Sequence, residues 1–302
     1  MPSAGTAGNR SSARLRAAHV RKDFTGETLE VALAGIGRKN TIGLDACSPA
    51  QREFRALLAL SLFNRAPAPG EAPARPVSNL GAHDAVISPR WNELVIVAQR
   101  SPADVVAALI PGTLGDGPGR APGLLLVAAS PGNHSSTFHL QHQPTGARLV
   151  VTGRPGGPKP PRPEADRRQD PHGTADELTA DERARLDGSP PVSPDAAVLL
   201  AGLTCRYNLE DHTERWATSW TRDPFGRANG WGAAADHGPV ERQLSGRGDM
   251  WVLRWNGYPY RPDLARAFTH PVIGIQGAEL HIHRQVPRVT FGTAFLELRG
   301  PV

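Results

Sequence analysis

Between Gly153 and Asp195 the chain changes character: prolines stand at 155, 158, 160, 161, 163, 171, 190, 191 and 194, and large apolar side chains all but vanish. A segment short of backbone donors and with nothing to bury does not run through a packed core, so it divides the 302 residues into two halves of ordinary domain length. The expected organisation is a basic disordered arm (1–22), an N-terminal α+β domain (23–152), a Pro-rich linker (153–195) and a C-terminal α+β domain (196–302). Within the linker, Thr174 precedes Glu177 and Thr179 precedes Glu182 at capping-box spacing, with Gly188 as a stop, which predicts a short acidic helix.

Helix and strand signals sort into matching blocks. In the N-terminal half a helix is expected from Thr25 to Leu33. A better punctuated one follows, with Ser48 as N-cap, Pro49 in its first turn and Phe54, Leu57, Leu58 and Leu62 on one face. Strands follow at Ala85–Ser88 and Glu93–Gln99, then a helix capped by Ser101 with Pro102, then Leu124–Ala129 and a hairpin of Thr137–Gln143 with Arg148–Thr152 across Pro144-Thr145-Gly146. In the C-terminal half an apolar helix over Ala196–Leu203 precedes an amphipathic one in which Leu209, Thr213, Trp216 and Trp220 step by four, three and four. Beyond them come strand Trp251–Trp255, helix Pro262–Phe268, and strands Val272–Gln276, Glu279–Arg284 and Arg288–Leu298, the last interrupted at Gly292.

The fold class is therefore α+β, in two strand, helix, strand, hairpin halves. The blocks also resemble each other in detail. Trp91 and Asp104 are matched by Trp251 and Asp263, and Phe138-His139-Leu140 by Leu280-His281-Ile282. An internal duplication is one reading and convergent use of a common pattern the other.

Charge is unevenly placed. Arg10, Arg14, Arg16, Arg21 and Lys22 account for the whole net charge of +5, leaving the body neutral, with 29 basic and 29 acidic side chains. An acid-free arm of this kind either solvates the chain or engages an anionic partner, nucleic acid foremost. Only Lys22, Lys39 and Lys159 are lysines; so strong an arginine bias, with abundant Ala, Gly and Pro, follows from a GC-rich coding sequence and is not itself a sign of phosphate recognition. Cys47 and Cys205 stand far apart with neither zinc nor redox spacing, and the N-terminus lacks the apolar stretch of a secretory signal, so a reducing, cytoplasmic location is expected. An organelle transit peptide has the same Arg/Ser-rich, acid-free composition and stands as the other reading of residues 1–22.

Two constellations bear on chemistry. On the strand beginning at Glu279, alternation puts Leu280 and Ile282 on a buried face and Glu279, His281 and His283 together on the other, a ligand set suited to Zn or Fe, with His139 or Asp211 and His212 completing it. Trp216, Trp220, Trp231, Trp251 and Trp255 are interleaved with arginines, Arg227 among them, which is the material of a stacking platform or a protein interface. No phosphate-binding loop with Lys and Ser/Thr, dinucleotide fingerprint or GxSxG elbow is present. The expectation is a non-catalytic intracellular binding protein, nucleic acid being favoured through Arg10, Arg14, Arg16, Arg21, Lys22, Arg227 and Trp231. The alternatives are a metal-dependent hydrolase using Glu279, His281 and His283, and a protein-interaction subunit of a larger assembly.

Overall fold

The structure, a computed structural model, describes residues 6–37, 41–64, 85–98, 101–110, 121–130, 136–153, 178–220, 223–227 and 242–302. Two helices lead, α1 (Thr6–Thr25) and α2 (Leu29–Gly35). The first half then runs α3 (Pro49–Leu62), β1 (Val86–Pro89), β2 (Glu93–Val97), α4 (Pro102–Leu109), β3 (Leu124–Ser130), β4 (Thr137–His142) and β5 (Ala147–Thr152). After α5 (Ala180–Asp187) the second half repeats the plan. Its elements are α6 (Pro194–Cys205), a small hairpin of β6 (Glu210–Asp211) and β7 (Trp216–Ala217), β8 (Arg242–Arg247), β9 (Met250–Trp255), α7 (Arg261–Thr269), β10 (Glu279–His283), β11 (Val286–Phe291) and β12 (Ala294–Arg299).

Each half forms one five-stranded sheet, in the orders β1-β2-β5-β4-β3 and β8-β9-β12-β11-β10. Apart from β6 and β7, the two orders are the same topology. A hairpin opens each sheet, its second strand pairs parallel with the last (β2 with β5, β9 with β12), and the remaining neighbours are antiparallel. A parallel pair needs a crossover, and α4 and α7 begin those crossovers.

The helices start where the sequence says they should. Ser48, Ser101 and Ser193 each accept a hydrogen bond from the backbone N–H three residues on, and each is followed by a proline whose missing N–H costs nothing there. Thr179 and Glu182 close a full capping box on α5, with Gly188 at its end. The equivalent helices α3 and α6 pack against each other, and the apolar faces of both sheets close on them. Phe54, Leu58, Phe63, Leu94, Leu149, Leu199, Leu203, Trp220, Trp251, Leu253 and Leu296 lie in one continuous cluster. The halves thus share a core.

Several expectations are corrected. Residues 6–22 of the expected disordered arm are helical, as part of α1, and Arg21 is fully buried. The helix expected over Thr25–Leu33 begins only at Leu29, because Gly26 turns the chain with φ +67° and Thr28 caps the next helix. The amphipathic helix expected over Leu209–Trp220 is instead the β6–β7 hairpin. Asp211 Oδ1 accepts from the backbone N–H of Thr213 (2.8 Å) and Glu214 (3.1 Å), and Arg215 takes a positive φ, so the four-three-four spacing of apolar residues is not a helix stripe. Residues 272–276 are turns, held by Gly274 N–H to His270 O and Ile275 N–H to Phe268 O. The break expected at Gly292 is a full hairpin turn between β11 and β12. Trp91 lies in the β1–β2 turn while Trp251 lies within β9, and by position in the sheet β10 corresponds to β3, not to the strand holding His139. The loop expected at Ala66–Pro76, and residues 154–177 of the linker, lie outside the described residues.

Three buried arginines fasten the leading segment and the turns to this frame. Arg21 of α1 meets both carboxylate oxygens of Glu27 (2.6 and 2.7 Å) and donates to the carbonyls of Gly35, Ile42 and Pro89. Arg206 meets Asp45 through two nitrogens (2.6 and 2.7 Å) and donates to Gly202, Ala267 and Ile273. Arg55 of α3 holds the β1–β2 turn through the carbonyls of Arg90 and Glu93. Removing one partner of such a pair leaves a buried charge without its counterion, which costs about 3–5 kcal/mol. Replacing Glu27 by Gln is therefore expected to lower the unfolding free energy by about that amount in urea titrations. A loss below about 1 kcal/mol would show that the pair does not anchor α1.

Candidate functional site

The second sheet ends in a strand whose five residues are all exposed. Gly277, at φ +87°, turns the chain into β10, and Arg284 and Gln285, both at positive φ, turn it back into β11 as a two-residue hairpin loop. Pairing with β11 runs from Glu279 opposite Thr290 to His283 opposite Val286, and satisfies one edge of β10. The other edge has no neighbouring strand among the described residues. All five residues of β10 are exposed, including Leu280 at 41% and Ile282 at 66%. The expectation that Leu280 and Ile282 are buried against a core is thus overturned: α7 packs chiefly on β11, and both side chains of β10 stay exposed. On the other face Glu279 sits 3.3 Å from His281.

The ligand set expected for Zn or Fe does not assemble. His139 belongs to β4 of the first sheet, beside Val150 of β5, and burial lowers its pKa. No three of Glu279, His281, His283 and His139 bring ligand atoms within 4.8 Å of one another; among the described residues only Asp211, Glu214 and His270 do so. Each of these already has structural work. Asp211 caps the β6–β7 turn, Glu214 pairs with Arg266 at 3.1 Å on the surface, and His270 Nδ1 accepts from Val272 N–H while its ring lies against Phe24 and Trp216. His212, also considered as a ligand, is exposed and 3.6 Å from Glu210. His142, in the core against Phe54, has its pKa pushed down to about 4 by burial and stays neutral near pH 7.

The aromatic and basic candidates are mostly interior. Trp216, Trp220, Trp251 and Trp255 are buried, and Arg242 lies over Trp220 while donating to its carbonyl and to Tyr207 Oη. Arg227 bridges Asp223 and Asp263 and stacks on Tyr260, with its centre 4.9 Å from the ring. Trp231 and the side chain of Arg10 lie outside the described residues. Of the remaining basic candidates, Arg21 is consumed by Glu27, Arg14 donates to Leu33 O, and Arg14, Arg16 and Lys22 are exposed on α1. Sequence reading missed two exposed apolar features: Trp91 at the β1–β2 turn, and the edge position of β10. A weak signal for the second was present, since Glu279–His283 is flanked by turn residues and carries fewer apolar side chains than a central strand.

Asp211 distinguishes turn from metal chemistry. Asp211→Ala is expected to lower stability by about 1 kcal/mol and Asp211→Asn by only a few tenths, because asparagine keeps the capping acceptor. Thermal unfolding of each, with and without a chelator, reads this out; a chelator-sensitive wild type with Asn as harmful as Ala would contradict it. Compared with known proteins, the chain matches no family model, no curated protein and no solved structure, so the functional reading rests on its own residues.

Proposed function

We propose that the protein is a non-catalytic binding protein, of the protein-interaction kind, that takes up an extended peptide segment along the free edge of β10. What supports this is the exposure of that strand: an unpaired row of backbone donors and acceptors beside Leu280 and Ile282 is a template for strand addition. Backbone bonds supply affinity in this mode, and alternate side chains supply selectivity. Leu280 and Ile282 favour apolar side chains on one face of the incoming strand. His281 and His283 favour acidic ones on the other.

Nucleic acid has less support. One arginine of the N-terminal arm, Arg21, is spent inside the fold, and Trp216, Trp220, Trp251 and Trp255 are buried. Among the described residues, the exposed charges Arg14, Arg16 and Lys22 are what that reading retains.

The test uses the full chain and a fluorescent peptide that alternates valine with glutamate. Saturable binding is expected, weakened at least tenfold by Ile282→Lys and equally by N-methylation of alternate peptide amides, which removes the backbone donors. Ile282 is exposed, so its replacement leaves the fold intact. Binding indifferent to both changes, or no binding, would overturn the reading.

A further inference from the structure

We infer that the segment β10 takes up is β10 of a second copy of this chain, a conclusion that rests on the strand-addition reading above. The strand reads Glu-Leu-His-Ile-His, and it is self-complementary when paired antiparallel about His281. In that register Glu279 stands opposite His283 of the second copy, and Leu280 opposite Ile282 of the second copy, each pairing occurring twice. Carboxylate meets imidazole on one face and aliphatic meets aliphatic on the other, the side chains left exposed in the single chain. A shift by one residue would put apolar side chains against polar ones and lose both matches.

The other sheet ends explain why β10 is the one left to pair. At β8 the Leu244 N–H donates to Phe63 O (3.0 Å) and Asn64 Oδ1 (2.8 Å), and Gly248 at its end is tied to Pro191 and Ser193. At β1 the Pro89 carbonyl accepts from Arg21, and the Ala85 carbonyl just before the strand accepts from Asn208. On β3, the counterpart of β10 in the first sheet, the register shifts between Leu126 and Ala128, a bulge that interrupts the ladder at Val127. The β10 edge pairing with itself about a twofold axis makes a closed dimer with a continuous ten-stranded sheet, not a filament. Two five-residue strands bury less than the roughly 1,200–2,000 Å² of a standard stable interface, so the dimer is a weak one.

Sedimentation velocity of the full chain from about 5 to about 500 µM is expected to show a monomer passing to a dimer. Glu279→Lys and His283→Glu are each expected to weaken it at least tenfold, and the double variant to restore it, since the swap recreates the opposite-charge pairs. In glutathione buffer, His281→Cys is expected to form a disulfide-linked dimer, because residue 281 faces itself across the axis. His283→Cys and the wild type, whose two cysteines are buried, are expected not to. A monomer throughout, or a dimer untouched by the single changes, overturns self-pairing. If peptide binding sensitive to N-methylation persists in that case, strand addition stands with another occupant; if it is absent too, both readings fall.

Discussion

The packing of α3 against α6 is the contact on which the rest of this protein depends. Both sheets turn an apolar face toward the same pair of helices. The two Ser-Pro capped helices meet at the centre and serve both, so that Phe54 and Leu58 of one half and Leu199 and Leu203 of the other belong to a single cluster. Sharing raises the buried fraction of the chain above what either half would reach alone. It also fixes what is left outside. α7 packs chiefly on β11, and β10, at the end of the second sheet, keeps all five of its residues exposed.

Buried arginines do for the leading segment what apolar packing does for the halves. Arg21 and Arg206 each hold a carboxylate and several carbonyls, so α1, α2 and the chain around Asp45 are joined to β1, α6 and α7 by directional bonds. Such networks are costly to leave half-made and therefore specify one arrangement. Among the described arginines, Arg21, Arg55, Arg206 and Arg242 are the ones used inward.

What was legible in the sequence was local. Ser48, Ser101 and Ser193 with their following prolines, the Thr179 to Glu182 box and the Pro144-Thr145-Gly146 turn announce themselves within four residues, and each marks its element in the structure. The likeness of the halves was legible in element order but not in register. Reading β11 and β12 as one strand removed a strand from the second half and slid Leu280-His281-Ile282 onto Phe138-His139-Leu140, one strand out of place. β8 was invisible because its inward residues are Arg242 and Leu244, and Arg242 is satisfied by Tyr207 and Trp220, distant in sequence. The β6–β7 hairpin was mistaken for a helix because the Asp211 turn and the packing of Trp216 against Phe24 decide there, and neither is a property of spacing. The site was hidden for the same reason. That Glu279–His283 is a strand could be read, but that it is an edge follows only from strand order.

Denaturant-dependent hydrogen exchange on the intact chain, comparing amides of β4 and β5 with those of β11 and β12, tests the shared core most directly. The account predicts one common unfolding free energy and one denaturant slope for both sets, because neither sheet survives the loss of the α3–α6 contact. Two separate free energies, with one sheet protected after the other has opened, would contradict it and make the halves independent domains.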